Sequence, residues 1–248
     1  MPKKRRPLSV RQPPKKDGRP KNRLLASLAD EDFQYLRPHL KTVPVHAKQV
    51  FCKAGERLRH VYFLNGGVCS LTTVLSNGAM VEAATIGDAG FVGIEAFLSD
   101  DAVSLSEAIM QVPDTDAERL SVDAFRRALV ERPALQMLTG RYLQAVLGQI
   151  IQTTACNVHH SVQERCVRWL LMAHDRMHHK DFKLSHEFLA EMLGASRSTV
   201  SEVAGTLQAA GLIRYSHGHV TVLDRQGLEG ASCECYAVIR AQFDRLRS

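Results

Sequence analysis

The stretch from residue 185 to 207 restricts the fold more than any other part of the chain. Ser185 is a good helix N-cap, and Leu189, Ala190 and Leu193 then recur on one helical face. Ala190 is small enough to let a second helix approach closely. Gly194 supplies the left-handed residue that ends a helix, and Ser196 caps the next one. Val200, Val203 and Leu207 return to the same apolar side. Apolar residues, a small residue and a glycine at these offsets are what a helix-turn-helix demands, whereas an ordinary helical hairpin has no need of the whole set.

The core-facing set leaves Arg197, Ser198, Ser201 and Glu202 on the open face of the second helix, near the end that meets base edges in a major groove. Arg197 is the leading candidate, because its fork matches guanine O6 and N7; Glu202 is placed to accept from a cytosine amine. Ser196, Thr199, Ser185 and His186 sit at helix starts, where free amides and hydroxyls hold phosphates. Residues 211–222 then read as a hairpin, a wing with His217 and His219 at its tip. Residues 180–225 contain five Lys/Arg against five Asp/Glu, so this reader is formally neutral. Affinity must come from dimer geometry, helix dipoles and a basic arm elsewhere.

Ahead of the reader, Ser161 to Glu164 forms a capping box that opens a helix with Val162, Cys166, Trp169, Leu170 and Ala173 on one face. Pro133 is well placed to start a long helix reaching about residue 157. Leu135, Leu138, Tyr142, Ala145, Gln149, Gln152 and Cys156 follow near-heptad spacing along it, and Leu143, Val146, Leu147 and Ile150 widen the stripe. So wide a stripe predicts one side packed on the front domain and the other on a second copy, with the heptad set as the dimer face.

The front half changes period. After a short helical segment at 24–40, strands are expected at 49–52, 60–64, 68–75 and 80–86, divided by Gly55, Asn65 to Gly67 and Ser76 to Gly78. Asn77-Gly78 predicts a type I′ hairpin. Short strands at this spacing suggest a barrel or jelly roll.

The formal charge of +6 is unevenly spread: residues 1–23 carry ten Lys/Arg and one Asp, leaving −3 for the rest. Five of the nine prolines also lie there, so residues 1–23 are expected to be a disordered basic tail, which either adds sequence-blind affinity for phosphates or is a plain solvated extension. The six cysteines form no C-x-x-C pair, which points to reduced thiols rather than a zinc ribbon or disulfide framework. Cys233-x-Cys235 is expected on a helix with its side chains pointing apart, as buried structural thiols and not as a metal site. The longest apolar runs, 61–64 and 145–147, fall far short of the roughly 20 residues that span a bilayer, so the expectation is a cytoplasmic protein without membrane contact.

Two sets of residues carry a family resemblance. Ala54-Gly55-Glu56, His60 to Leu64 and Gly67 resemble the β-roll of cyclic-nucleotide-binding domains in the Crp/Fnr superfamily of bacterial regulators, and the back half resembles that superfamily's winged helix-turn-helix. The resemblance covers about residues 24–230. It implies an α+β fold: a β-roll (jelly-roll) sensor at 24–132, a dimerisation helix at 133–157, a winged helix-turn-helix at 158–230 and a closing helix at 231–248. It also implies a homodimer on double-stranded, palindromic DNA, with RNA polymerase as a further partner. Gly87, Gly93, Ile94 and Glu95 sit where such folds carry a phosphate-binding cassette, and so mark the candidate ligand pocket.

The cassette's arginine is missing. Residues 61–118 contain no Lys, Arg or His against nine Asp/Glu, a field that repels a cyclic phosphate. Control by cyclic AMP or cyclic GMP is therefore not expected. Haem stays open through His46 or His60, and no cofactor is assigned. The superfamily's iron–sulfur sensors use clustered N-terminal cysteines, which this chain lacks. No G-x-S-x-G, Walker loop or H-E-x-x-H supports an enzyme. The alternative reading is a small-ligand-responsive module in which DNA binding is secondary; it has no use for residues 185–222.

Overall fold

The computed structural model describes residues 18–177 and 179–247. Two short helices, α1 (Arg23–Ser27) and α2 (Asp30–Leu36), lead into eight strands: β1 (Lys41–Pro44), β2 (Val50–Cys52), β3 (His60–Leu64), β4 (Val68–Val74), β5 (Met80–Ile86), β6 (Phe91–Val92), β7 (Glu107–Val112) and β8 (Asp116–Ser121). A one-turn helix, α3 (Glu95–Leu98), separates β6 from β7. The strands form two four-stranded antiparallel sheets, ordered β1-β8-β3-β6 and β2-β7-β4-β5. These faces enclose Phe63, Phe91, Leu64, Met110 and Leu120. This is the expected β-roll.

The chain is pinned earlier than residue 24. Asn22 is fully buried; its side-chain oxygen accepts from Leu25 N at 3.0 Å, and its Nδ2 donates to Leu64 O and Gly90 O, both at 2.8 Å. The Arg19 guanidinium lies 4.8 Å from the centre of the Phe33 ring and donates to Leu28 O at 2.6 Å. The expected tail must therefore be shortened at its C-terminal end; the remainder, residues 1–17, lies outside the described residues. The Asn77-Gly78 hairpin joins β4 and β5 as anticipated but not as a type I′ turn. Only Gly78 takes a positive φ, of 83°, and Gly78 N donates to Leu75 O at 2.9 Å. A type I turn followed by a left-handed glycine is the three-residue alternative.

After α4 (Val122–Glu131), Pro133 opens α5 (Pro133–His159), 27 residues long. Tyr142 points from it into the β-roll, its hydroxyl donating to Phe91 O at 3.0 Å and its ring 5.0 Å from that of Phe91. The back half comprises α6 (Val162–Arg176), β9 (Asp181–Lys183), α7 (His186–Leu193), α8 (Arg197–Ala209), β10 (Ile213–Ser216), β11 (His219–Val222), α9 (Arg225–Gly230) and α10 (Cys235–Asp244). Its core is built on Trp169, Leu170, Leu193, Val200, Leu207 and Val220. The closing helix is shorter than expected: Cys233 precedes it and Cys235 is its first residue. α10 lies along α5 so closely that a Cβ on Gly148 would stand 1.7 Å from Gln242 Oε1.

The two halves share a polar seam. Glu82 on β5 accepts from the Ser70 hydroxyl and from Trp169 Nε1, the latter at 3.0 Å. Arg176 Nη2 donates to Thr85 O at 3.3 Å, and Gly67 N donates to Arg176 O at 3.1 Å. Both Glu82 and Arg176 are buried, so each polar group needs the other domain to satisfy it.

Candidate nucleic-acid interface

The reader is assembled by local rules. The Ser185 hydroxyl accepts from Phe188 N at 3.1 Å and starts α7; Gly194, at φ 57° and ψ 40°, ends it. The Ser196 hydroxyl accepts from Thr199 N at 3.1 Å and starts α8. Leu189, Ala190, Leu193, Val200, Val203 and Leu207 are all buried, which turns the opposite side of α8 outward. Arg197, Ser198, Ser201 and Glu202 are exposed there. Ser196 further contacts the hydroxyls of Ser198, at 2.7 Å, and Thr199, at 2.8 Å, so three hydroxyls cluster at the positive end of the helix.

His186 behaves differently from its expected role at a helix start. Its Nδ1 lies 2.9 Å from Ser201 Oγ, and its ring centre is 4.2 Å from that of Tyr215. Burial first, and then Arg197, lower its pKa, and the ring bridges α7, α8 and the wing. The wing itself is β10–β11, with β9 added on the other side of β11. Its tip has the two positive φ values of a type I′ turn: His217 has φ 50° and Gly218 has φ 77°. His217 is thus presented at the apex, exposed. Sequence reasoning passed over Lys183 and Arg214, two exposed cations that the three-stranded wing sheet sets on its surface. Their alternation with Phe182 and Ile213, both buried, was the available signal.

The expected dimer face needs correcting. Leu135, Tyr142, Ala145, Gln149 and Cys156 are buried inside the single chain, with Leu138 and Gln152 half-buried beside them. This row packs on the β-roll and α10, because Tyr142 finds a slot opposite Gly90, where a Cβ would stand 2.3 Å from its ring. The outward side of α5 carries another row: Met137, Gly140, Gln144, Leu147, Ile151, Thr154 and Val158, spaced alternately three and four residues apart. Met137 is 59%, Leu147 54%, Ile151 62% and Val158 74% exposed. Such spacing is that of a two-stranded coiled-coil seam.

The four residues of the candidate ligand pocket are not brought together. Gly93, Ile94 and Glu95 border a cavity of about 10 Å³ inside the β-roll, filled otherwise by Tyr142, Leu71 and Val146. That volume holds no more than about one water. Glu95 is occupied, accepting from Leu105 N at 3.0 Å and Ser104 Oγ at 3.3 Å. Gly87 instead faces Arg176 and borders a separate cavity of about 260 Å³ between the β-roll, α5, α6 and α10. A cyclic nucleotide does not fit the first space, and its phosphate would meet a carboxylate there. Of the two haem candidates, His46 is exposed, and His60 opens on a groove lined by Phe51, Leu58, Tyr62 and Val122 as well as by Arg57, Arg59, Asp123 and Arg126.

Comparison with known proteins agrees with this geometry. The family pattern of the Crp-like helix-turn-helix domain matches residues 164–231. The global nitrogen regulator of Synechococcus elongatus is 26% identical over 183 residues, which cover 68% of this chain and 80% of that protein. The transcriptional regulator SdrP of Thermus thermophilus is 28% identical, covering 66% and 79%. Residues 164–231 belong to the Crp-like helix-turn-helix domain family. The chain is a DNA-binding transcription regulator. Among solved structures, FixK2 of Bradyrhizobium japonicum superposes with a TM-score of 0.67 at 16% identity, over 78% of this chain and 98% of that one. The regulator CLP of Xanthomonas campestris gives 0.62 at 16% identity, over 78% and 99%. Both share this chain's fold. Among the described residues, no helix is long and apolar enough to cross a membrane.

Proposed function

We propose that two copies of the chain join along the outward row of α5 and set each α8 into successive major grooves of a two-fold-symmetric operator. Half-site centres then lie about 34 Å apart, one turn of DNA. One observation carries this reading: Met137, Leu147, Ile151 and Val158, recurring at heptad positions, stand exposed on the side of α5 turned away from the β-roll. Arg197 reads guanine, Ser198, Ser201 and Glu202 complete the base-facing surface, and Ser185, Ser196, Thr199 and His217 hold phosphates. The regulator works in the cytoplasm, meets RNA polymerase at the promoters it controls, and responds to no cyclic nucleotide. The near-filled β-roll interior and the Glu95 carboxylate that borders it support that last point. A signal reaching the β-roll shifts α5 and the Glu82–Trp169 seam, which resets the spacing of the paired readers.

Sedimentation of a Leu147→Asp, Ile151→Asp double variant tests the seam. Dissociation to a folded monomer with weakened operator binding is expected, and a dimer of unchanged affinity refutes it. On the operator, Arg197→Ala should lose about 1–3 kcal/mol, or about 5- to 150-fold in Kd, and relax the preference for guanine. Unchanged affinity and preference would remove Arg197 from its role.

A further inference from the structure

Three of the six cysteines converge on one point. Cys156, from the last turns of α5, is buried with its Sγ 3.7 Å from that of Cys233, just ahead of α10. Cys235 Sγ lies 3.5 Å from His160 Nδ1, at the residue that ends α5. All four ligand atoms lie within 4.8 Å of one another. The sequence reading sent Cys233 and Cys235 apart because it placed both on a helix. Cys233 is outside α10, and the bend before the helix swings both sulfurs to the same side.

The three sulfurs form a buried cluster separate from both main cores. Hydrophobic packing has no reason to place only thiols there, and the fourth member is a half-buried imidazole. The spacing is informative. Zinc bound by sulfur at about 2.3 Å and nitrogen at about 2.0–2.1 Å in a tetrahedron sets neighbouring sulfurs about 3.8 Å apart, and sulfur and nitrogen about 3.6 Å apart. The observed 3.7 and 3.5 Å are those edges. An iron–sulfur cubane needs its ligands spread around a whole cluster and has no room here.

The surroundings suit the same ion. His160 presents Nδ1 to the cluster while its Nε2 lies 3.3 Å from the Glu234 carboxylate, the partner that orients a metal-bound imidazole. Gln152 Nε2 donates to Cys235 Sγ at 3.1 Å, as amides do to metal-bound thiolates. Three thiolates around a divalent cation leave one negative charge. Arg168, buried and with its Nε unpartnered, exerts its positive field on Cys156 and balances that charge.

We propose that Cys156, His160, Cys233 and Cys235 form a tetrahedral Cys3His site for a divalent cation of the zinc class. The ion clamps the end of α5 to the start of α10. Because α6 and the reader hang from the bend at Ser161, the clamp fixes the attitude of the DNA-binding half against the dimerisation helix.

The test uses the full-length protein, purified without chelator and with reductant. Elemental analysis should find about one zinc per chain. Replacement by cobalt(II) should give the intense visible bands of tetrahedral coordination and a near-ultraviolet thiolate-to-cobalt band. Cys235→Ser should weaken the charge-transfer band, whereas Cys52→Ala, on β2, should leave it unchanged. If the Cys235 variant fails to fold, the wild-type cobalt spectrum still decides. Wild-type protein that takes up no stoichiometric zinc or cobalt, or binds cobalt without those bands, overturns the proposal. So does an intact mass lowered by two hydrogens with peptide mapping that joins Cys156 to Cys233 in place of the metal.

Discussion

Glu82→Gln isolates the polar contact that holds the reader against the β-roll. Glu82 is enclosed between β4, β5 and α6, and burial is the strongest influence on its carboxyl. Burial lifts the pKa from 4.5 to about 7, against the opposing pull of Ser70, Trp169, Arg168 and Arg176. The sign follows from proton counting. Below pH 4.5 the group is protonated folded and unfolded alike, so it imposes no penalty. Between 4.5 and about 7 the unfolded chain releases the proton while the folded chain keeps it, so stability falls as pH rises. At about 1.4 kcal/mol per pH unit the interval is worth about 3 kcal/mol, all of it lost by pH 7 and constant above. Glutamine keeps an oxygen for Trp169 Nε1 and never ionises. The difference in unfolding free energy, Glu82→Gln minus wild type, should therefore grow by about 3 kcal/mol from pH 4.5 to 7 and then level off. Trp169 is the only tryptophan in the chain, so urea unfolding followed by its fluorescence reads this contact directly. A difference that does not change between pH 4.5 and 8.5 would refute the assignment of a buried carboxylate at the seam whose desolvation outweighs its partners.

Two more outcomes follow from the two faces of α5 and from the basic N-terminal residues. Leu135→Ala, on the inward row, should lower stability by about 2–5 kcal/mol in denaturant titration while leaving the dimer intact, the reverse of the Leu147 and Ile151 phenotype; dissociation without loss of stability would return Leu135 to the dimer face. Removing residues 1–17, which carry seven Lys/Arg and one Asp, should weaken binding to operator and to unrelated DNA by the same factor and flatten the slope of log Kd against log salt; a loss confined to operator would mean that these residues read sequence.

How much of this was legible in the sequence depended on how local the determining physics is. The reader was legible because Ser185, Gly194 and Ser196 act within one turn of their own helices, and the apolar positions between them follow from helical periodicity alone. The strands at 60–64 and 80–86 emerged with the same bounds in the structure, since alternation is also local. β7 and β8 were missed: their residues include acidic groups on either side of Pro113, and what makes them strands is pairing with β4 and β3, far away in the chain. α5 shows the limit most clearly. Leu135, Tyr142, Gln149 and Cys156 recur every seven residues, and so do Met137, Gln144, Ile151 and Val158. Both rows satisfy a heptad, so no local rule chooses between them. The choice is made by Gly90, which opens a slot for the Tyr142 ring, and by the approach of Gln242 over Gly148. Cys156 in α5 and His160, four residues on at its C-terminal cap, likewise become a cluster only when Cys233 and Cys235 arrive from the far side of the reader. A helix with two equivalent apolar rows therefore declares its inner face through the residues that make room for it, and the row left without such a counterpart is the one available to a second chain.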